Sequence, residues 1–194
     1  MGRAAAGARY MFNFLAATFG RPQTRPQPAA QDGELDGAYG GGVRYRPRLT
    51  AQILRDHEVI RREMRALLDA CRAQDEDAEI VCMRRFADSF RRAGLIKSVQ
   101  LYPYLRWALE KDRMATIQFK STHRELERSS LLIEAVLTDY LDSPWDSYRR
   151  RRFVHDVVRV AGLFAQMLRQ EEGTLLPLYA PPGQYRYVDG VDTF

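Results

Sequence analysis

Apolar residues at intervals of three and four divide most of this chain into helical segments, and this periodicity limits the fold more than any other feature. In the segment 49–73 they form one face of an amphipathic helix, with the members Leu49, Ile53, Ile60, Met64, Leu67 and Cys71. The same spacing requires a member between Ile53 and Ile60, and the residue there is His57. We therefore expect an ionisable ring on the buried side of this helix.

Three further segments have the same spacing, and each also carries one ionisable residue in its apolar row. Together the four segments predict helices over about residues 50–73, 77–101, 114–141 and 147–172. The ionisable members of the later rows are Lys97, His123 and Glu171. Pro103 is expected to kink or end the second helix, with residues 104–109 continuing as a short helical piece. Four long helices with short connections indicate an all-α fold, an up-down-up-down four-helix bundle.

The two ends of the chain differ in composition from the helical part. Residues 1–48 contain eight of the 13 glycines and four of the nine prolines, which predicts a disordered N-terminal arm. Within it, the apolar stretch 10–19 is too short to span a bilayer. We expect it to contact a partner or a membrane surface, and a weak export signal is the alternative. The bundle is expected over residues 49–178, followed by an extended tail over 179–194.

The net charge of +5 is concentrated in the predicted arm. Residues 1–48 carry seven arginines and three acidic residues, 7 − 3 = +4, whereas the remainder carries 23 basic and 22 acidic residues, 23 − 22 = +1. The folded part is therefore not expected to bind nucleic acid. The four consecutive arginines at 149–152 are interpreted as a solvated charged face, with binding of a phosphate or an acidic partner as the alternative.

The four ionisable row residues are expected to meet in the centre of the bundle. Burying each of them without a partner would be costly, and each helix contributes one. Facing helices of a bundle hold metal ions with inward side chains in this way. A site at the bundle centre, built from His57, Lys97, His123 and Glu171, is therefore the main candidate for function.

At these positions the chain resembles the hemerythrin-like (HHE cation-binding) family. The motifs that carry the resemblance are Asp56-His57-Glu58, Leu101-Tyr102-Pro103, His123, and Glu171-Glu172 with Leu176-Pro177. The resemblance covers about residues 50–178. It implies a four-helix bundle around a non-haem di-iron centre. The first and third helices of such proteins each supply a histidine, and the second and fourth each supply a histidine and a glutamate four residues apart.

Only half of that ligand set is present in this chain. Counting back from the two prolines, the resemblance assigns ligand positions to His57, His123 and Glu171, which match, and to Ala93, Lys97 and Met167, which do not. Two imidazoles and one carboxylate are too few for two metal ions. A lysine ammonium at a former glutamate position adds positive charge beside a cation, and it can coordinate a metal only after deprotonation.

We therefore expect no cofactor, with Lys97 replacing a ligand and pairing with Glu171. His57 and His123 are then expected to bond to that carboxylate or to Tyr and Ser hydroxyls. The alternative is a single iron ion held by His57, His123 and Glu171, since two histidines and one carboxylate can form a facial triad.

The sequence predicts a non-enzymatic regulatory or interaction module with a largely lost di-iron site. The alternative is an iron- or oxygen-binding hemerythrin-like protein with a reduced ligand set, in which water or Glu172 joins His57, His123 and Glu171. No pair of nucleophile and base is recognisable, so enzymatic activity is not expected. A protein partner is expected to bind through the N-terminal arm. The two cysteines do not form a disulfide framework and no transmembrane segment is recognisable, so a cytoplasmic location is expected.

Overall fold

The computed structural model describes residues 43–142 and 145–185. The structure is all-helical, and no β-strand occurs within these ranges. Its helices in chain order are α1 Leu49–Ala73, α2 Glu76–Ile96, α3 Tyr102–Ala108, α4 Arg113–Leu141 and α5 Ser147–Gln170. The four long helices predicted from the periodicity are thereby confirmed. Residues 1–42 of the predicted arm and residues 186–194 of the predicted tail lie outside the described residues.

Three of the long helices begin at an aspartate. The carboxylates of Asp75, Asp112 and Asp146 accept hydrogen bonds from the backbone N–H three residues later, at 3.0, 2.9 and 2.8 Å. Each bond satisfies a backbone donor that the first turn of a helix leaves unpaired. These caps define where α2, α4 and α5 start.

The apolar rows face a common core. Helix α1 packs along α2, α4 packs along α5, and these two pairs meet through contacts of α1 with α5 and of α2 with α4. The row residues of α1, including His57, are buried against the other helices. This arrangement is that of a helical bundle. Among the described helices, none is both long enough and apolar enough to cross a bilayer.

Two helices end in a π-helical turn whose last residue lies two positions before a proline. Helix α2 continues into the turn Lys97–Leu101, and α5 continues into the turn Glu171–Leu175. The backbone N–H of Tyr102 donates to the carbonyl of Lys97, and the N–H of Leu176 donates to that of Glu171. In each turn, the acceptor is therefore the ionisable residue of the apolar row, and the donor is the residue directly before the proline.

The prolines account for the wider turns. A proline ring collides with the carbonyl four residues earlier in an α-helix, and a π turn gives that carbonyl more room. The chain therefore remains helical through Pro103 into α3. The last helix also continues beyond its predicted end at residue 172. It passes through the π turn into the short 3₁₀ turn Leu176–Leu178, which contains Pro177.

An aromatic cluster closes the end of the bundle where the described chain begins. The ring of Tyr179 lies 5.1 Å from that of Tyr45 and 4.7 Å from that of Tyr104. The Tyr104 hydroxyl donates to the carbonyl of Ala180 at 2.6 Å, and the backbone N–H of Arg46 donates to the Tyr179 hydroxyl at 2.8 Å. Both segments that flank the bundle are therefore packed against it.

Candidate functional site

The backbone places all four ionisable row residues in the interior. His57 lies in the middle of α1, and His123 lies in α4. Lys97 and Glu171 are the first residues of the two π turns. All four side chains are buried, and His57 and Glu171 have almost no exposed surface.

Lys97 and Glu171 form a buried ion pair. Lys97 Nζ donates to Glu171 Oε2 at 2.7 Å. The Tyr102 hydroxyl donates to the other carboxylate oxygen, Oε1, at 2.9 Å. The contact between Lys97 and Glu171 that the sequence predicts is therefore confirmed, and each oxygen of the carboxylate has a donor.

His57 lies between two carboxylates. Its Nδ1 is 2.7 Å from Glu172 Oε1, within hydrogen-bond distance. Its Nε2 is 3.1 Å from Glu171 Oε2, the oxygen that also accepts from Lys97. This second contact has the distance of an ion pair but not the alignment of a hydrogen bond. The imidazole thus bridges the buried carboxylate and its neighbour in sequence.

The network continues from His57 to the surface. Arg61 donates to Glu172 Oε1 at 2.6 Å and to Glu58 Oε1 at 2.6 Å. The exposed fraction of the side chains rises from 28% for Glu172 to 33% for Arg61 and 67% for Glu58. A continuous series of polar contacts therefore joins the buried ion pair to solvent.

Tyr102 and Arg61 of this network are not among the predicted site residues, and Glu172 is among them only in the iron-binding alternative. Tyr102 belongs to a motif that carries the resemblance, and Arg61 lies outside the apolar row of α1. One signal was available, because Arg61 follows His57 by four residues and therefore shares its side of the helix.

His123 is separate from the charge network. Its ring is edge-on to that of Tyr102, with the centroids 4.3 Å apart, and lies 5.5 Å from the ring of Phe119. Its Nδ1 is 3.7 Å from Glu127 Oε1, too far for a hydrogen bond, and its buried Nε2 has no hydrogen-bond partner among the described residues. The expected bond from His123 to a carboxylate or hydroxyl is therefore not observed.

The positions that depart from the family pattern are filled with core side chains. Ala93 and Met167 are both buried in the hydrophobic core. The Ser130 hydroxyl lies 3.5 Å from the Met167 sulfur, a weak contact. These two positions contribute packing to the bundle and no charge to the network.

The electrostatics favour a charged Glu171 and uncharged Tyr102 and His123. Burial acts to raise the pKa of Glu171, but the charge of Lys97 and the contact with His57 outweigh it and hold the pKa at about 2. Burial, together with the charge of Glu171, raises the pKa of Tyr102 well above its usual value. Burial lowers the pKa of His123, with Glu127 opposing and Arg106 adding to the effect. At neutral pH, Glu171 is ionised and His123 and Tyr102 are uncharged.

The low pKa of Glu171 predicts a loss of stability in acid. A carboxylate whose folded pKa is about 2 and whose ordinary value is 4.5 stabilises the fold above pH 4.5 and ceases to do so as the pH falls towards 2. We expect the free energy of unfolding to fall by about 3 kcal/mol across this interval on account of this group. Urea denaturation at a series of pH values measures it. Glu171→Gln should have a shallower slope, and an unchanged slope would contradict the assignment.

The residues present do not fit the di-iron centre that the resemblance implies. Among the described residues, no three His, Cys, Asp or Glu side chains are grouped so that they could hold a metal ion. Lys97 places an ammonium on the carboxylate oxygen of Glu171, and the ring of His123 lies against those of Tyr102 and Phe119. The side chains at the bundle centre therefore form an internal ion pair and do not supply the ligands of a di-iron centre.

Neither the family models, nor the curated proteins, nor the solved structures with which the chain was compared match it. The resemblance to hemerythrin-like bundles therefore depends on the motif residues alone. A function for this chain has to be argued from the charge network and the surface of the bundle.

Proposed function

We propose that this protein is a hemerythrin-like bundle, with its long helices running up-down-up-down, in which an ion pair replaces the di-iron centre. One observation carries the proposal, the 2.7 Å contact of Lys97 Nζ with Glu171 Oε2. The ammonium supplies the positive charge that a bound cation would otherwise bring to this carboxylate. Breaking such a buried pair is costly, so the site holds the fold together without a metal.

The protein then acts as a non-enzymatic regulatory or interaction module in the cytoplasm. The polar groups of the network bond to one another, and none of them is arranged as a nucleophile with its base. A protein partner binds in part through the N-terminal segment 1–48, most of which lies outside the described residues. The bundle provides the scaffold that holds that segment.

The iron content of the purified protein tests this proposal. Protein prepared without chelator, and again after anaerobic loading with Fe(II), should contain no more iron than a His57→Ala variant prepared in parallel. The triple variant Ala93→His, Lys97→Glu and Met167→His is the positive control, since it restores the missing ligand types. Stoichiometric iron in the natural protein that disappears in His57→Ala would overturn the proposal.

An iron- or oxygen-binding protein with a reduced ligand set is the second candidate. The observation that favours it is the buried Nε2 of His123, which has no hydrogen-bond partner among the described residues, as an unused ligand would. In that case His57, His123 and Glu171 would hold the iron. Loss of iron in both His57→Ala and His123→Ala, with an iron-oxo absorption band in the loaded protein, would support this candidate over the first.

A further inference from the structure

The outer side of helix α5 carries charge of one sign. The helix contains six arginines and one acidic residue, Asp156, which gives 6 − 1 = +5. Asp156 is buried, and its carboxylate accepts a hydrogen bond from the Tyr140 hydroxyl at 2.8 Å. None of the exposed residues of α5 is acidic. This helix therefore presents a basic surface, although the part of the chain after residue 48 is almost neutral.

Part of this charge is neutralised within the fold. Arg149 bonds to Asp139 at 2.9 Å, and Arg150 pairs with Glu76. Of the other four arginines, Arg152 and Arg159 lie 3.5 and 3.6 Å from the single carboxylate of Asp156. The remaining two, Arg151 and Arg169, form no ion pair among the described residues, so the four arginines leave 4 − 1 = +3 on the outer side. This excess is available to an outside partner.

A narrow apolar line runs between these arginines. Val154 and Val158 are 46% and 56% exposed, and Gly162 and Ala165 are also exposed. Their spacing of four, four and three residues places them on one side of the helix. We call this line the α5 stripe; it comprises Arg151, Val154, Val158, Gly162, Ala165 and Arg169, so that an arginine stands at each end.

Gly162 is not required by the packing of the bundle. A Cβ atom added there would meet nothing within 4 Å. Glycine weakens the interior of a helix relative to alanine, so internal packing does not account for its presence. With Ala165 it lowers the helix surface in the middle of the stripe, which allows another backbone to approach closely. The low surface at Gly162 and Ala165 is independent of the excess of arginines, and both features lie on the same side of α5.

We propose that the α5 stripe is a docking site for an acidic amphipathic helix of a protein partner. The partner's apolar side would pack on the valines and on the low surface at Gly162, and its acidic flanks would face the arginines. A second copy of this chain fits less well, because two such faces would oppose arginine to arginine. An anionic membrane fits less well, because the valines are short and a glycine adds nothing to insertion. The inference deepens the proposed interaction role.

Two synthetic peptides test the stripe with the full chain. Each is roughly 20 residues long, to match the helix, and carries Leu and Ala at helical spacing with fluorescein at one end. The first has Glu on both flanks, and the second has Lys in the same places. Fluorescence anisotropy should detect binding of the Glu peptide alone, with an affinity that falls as salt is added.

Two changes in the stripe should each weaken this binding at least about tenfold. Gly162→Leu blocks close approach while it favours the helix, so the unfolding midpoint should not fall. Arg151→Glu with Arg169→Glu reverses the charge at the two ends of the stripe. The matched controls on α2 are Gly94→Leu, where an added Cβ also meets nothing within 4 Å, and Arg84→Glu with Arg85→Glu. Both controls should leave the affinity unchanged.

Several results would overturn the proposal. They are equal binding of the Lys peptide, unchanged affinity in Gly162→Leu, and absence of binding of the Glu peptide. Sedimentation with phosphatidylglycerol vesicles but no peptide binding would assign the stripe to a membrane instead. A dimer in analytical ultracentrifugation that Gly162→Leu dissociates would assign it to a second copy. None of these readouts involves iron, so failure of this inference is distinguishable from failure of the metal-free proposal.

Discussion

Replacement of Lys97 by methionine should destabilise the protein by about 3–5 kcal/mol, because it removes the cation from a buried ion pair. Glu171 is almost wholly buried, and the ammonium is the charged donor to its Oε2 atom. In the variant this carboxylate must either remain charged without the ammonium or take up a proton, and both raise the free energy of the folded state. Urea denaturation at neutral pH measures the change in the free energy of unfolding.

Two further variants show whether the loss belongs to the ion pair. Lys120→Met, at an exposed position of α4, should change the stability by less than about 0.5 kcal/mol. Lys97→Met combined with Glu171→Gln should recover more than half of the loss, since the amide needs no cation and still accepts from Tyr102. A double variant as unstable as the sum of the two single variants would contradict the coupling between Lys97 and Glu171.

Replacement of Tyr104 by alanine should cost about 3–5 kcal/mol, because it empties the centre of the aromatic cluster. Its side chain is fully buried. The ring contacts Tyr45 from the entering segment and Tyr179 from the leaving segment. Its loss therefore leaves a cavity and loosens both flanks from the bundle. Thermal or urea unfolding measures the loss, and protease cleavage near residues 43–48 should become faster.

Tyr104→Phe separates the hydroxyl from the ring. This variant loses the bond to the carbonyl of Ala180 and the interaction of the hydroxyl with that of Tyr185, and it should be destabilised by about 1 kcal/mol. Tyr148→Ala provides the exposed control, since its side chain is 57% exposed, and should cost less than about 0.5 kcal/mol. If Tyr104→Ala were as mild as Tyr148→Ala, the cluster would not hold the flanking segments.

The helices could be predicted from the sequence because their apolar rows are regular and long. The row of α1 is buried from Leu49 to Cys71, as its spacing indicates. The ends of the second and fourth predicted helices could not be obtained in the same way. A π turn contains one more residue than an α-helical turn. The apolar spacing of 3.6 residues therefore does not predict where such a turn lets the helix continue past a proline. The helical structure therefore passes both Pro103 and Pro177, to Ala108 and Leu178.

The ion pair of the site was predictable, and its surroundings were not. Lys97 and Glu171 both stand in apolar rows, and buried opposite charges need each other. His123 also stands in a row, but a row fixes the side of the helix and not which buried group the ring will meet. Glu172 and Arg61 lie outside the rows, so their link to His57 emerges only once α1 and the end of α5 are packed together.

The two π turns place Lys97 and Glu171 at equivalent backbone positions. Lys97 stands 103 − 97 = 6 residues before one proline, and Glu171 stands 177 − 171 = 6 residues before the other. Each begins a π turn with its own carbonyl as the acceptor. The ion pair thus joins corresponding positions of the two π turns, which share a backbone geometry and carry opposite charges at their first residues. Two carboxylates at these positions would need a cation between them, and here the chain supplies that cation itself.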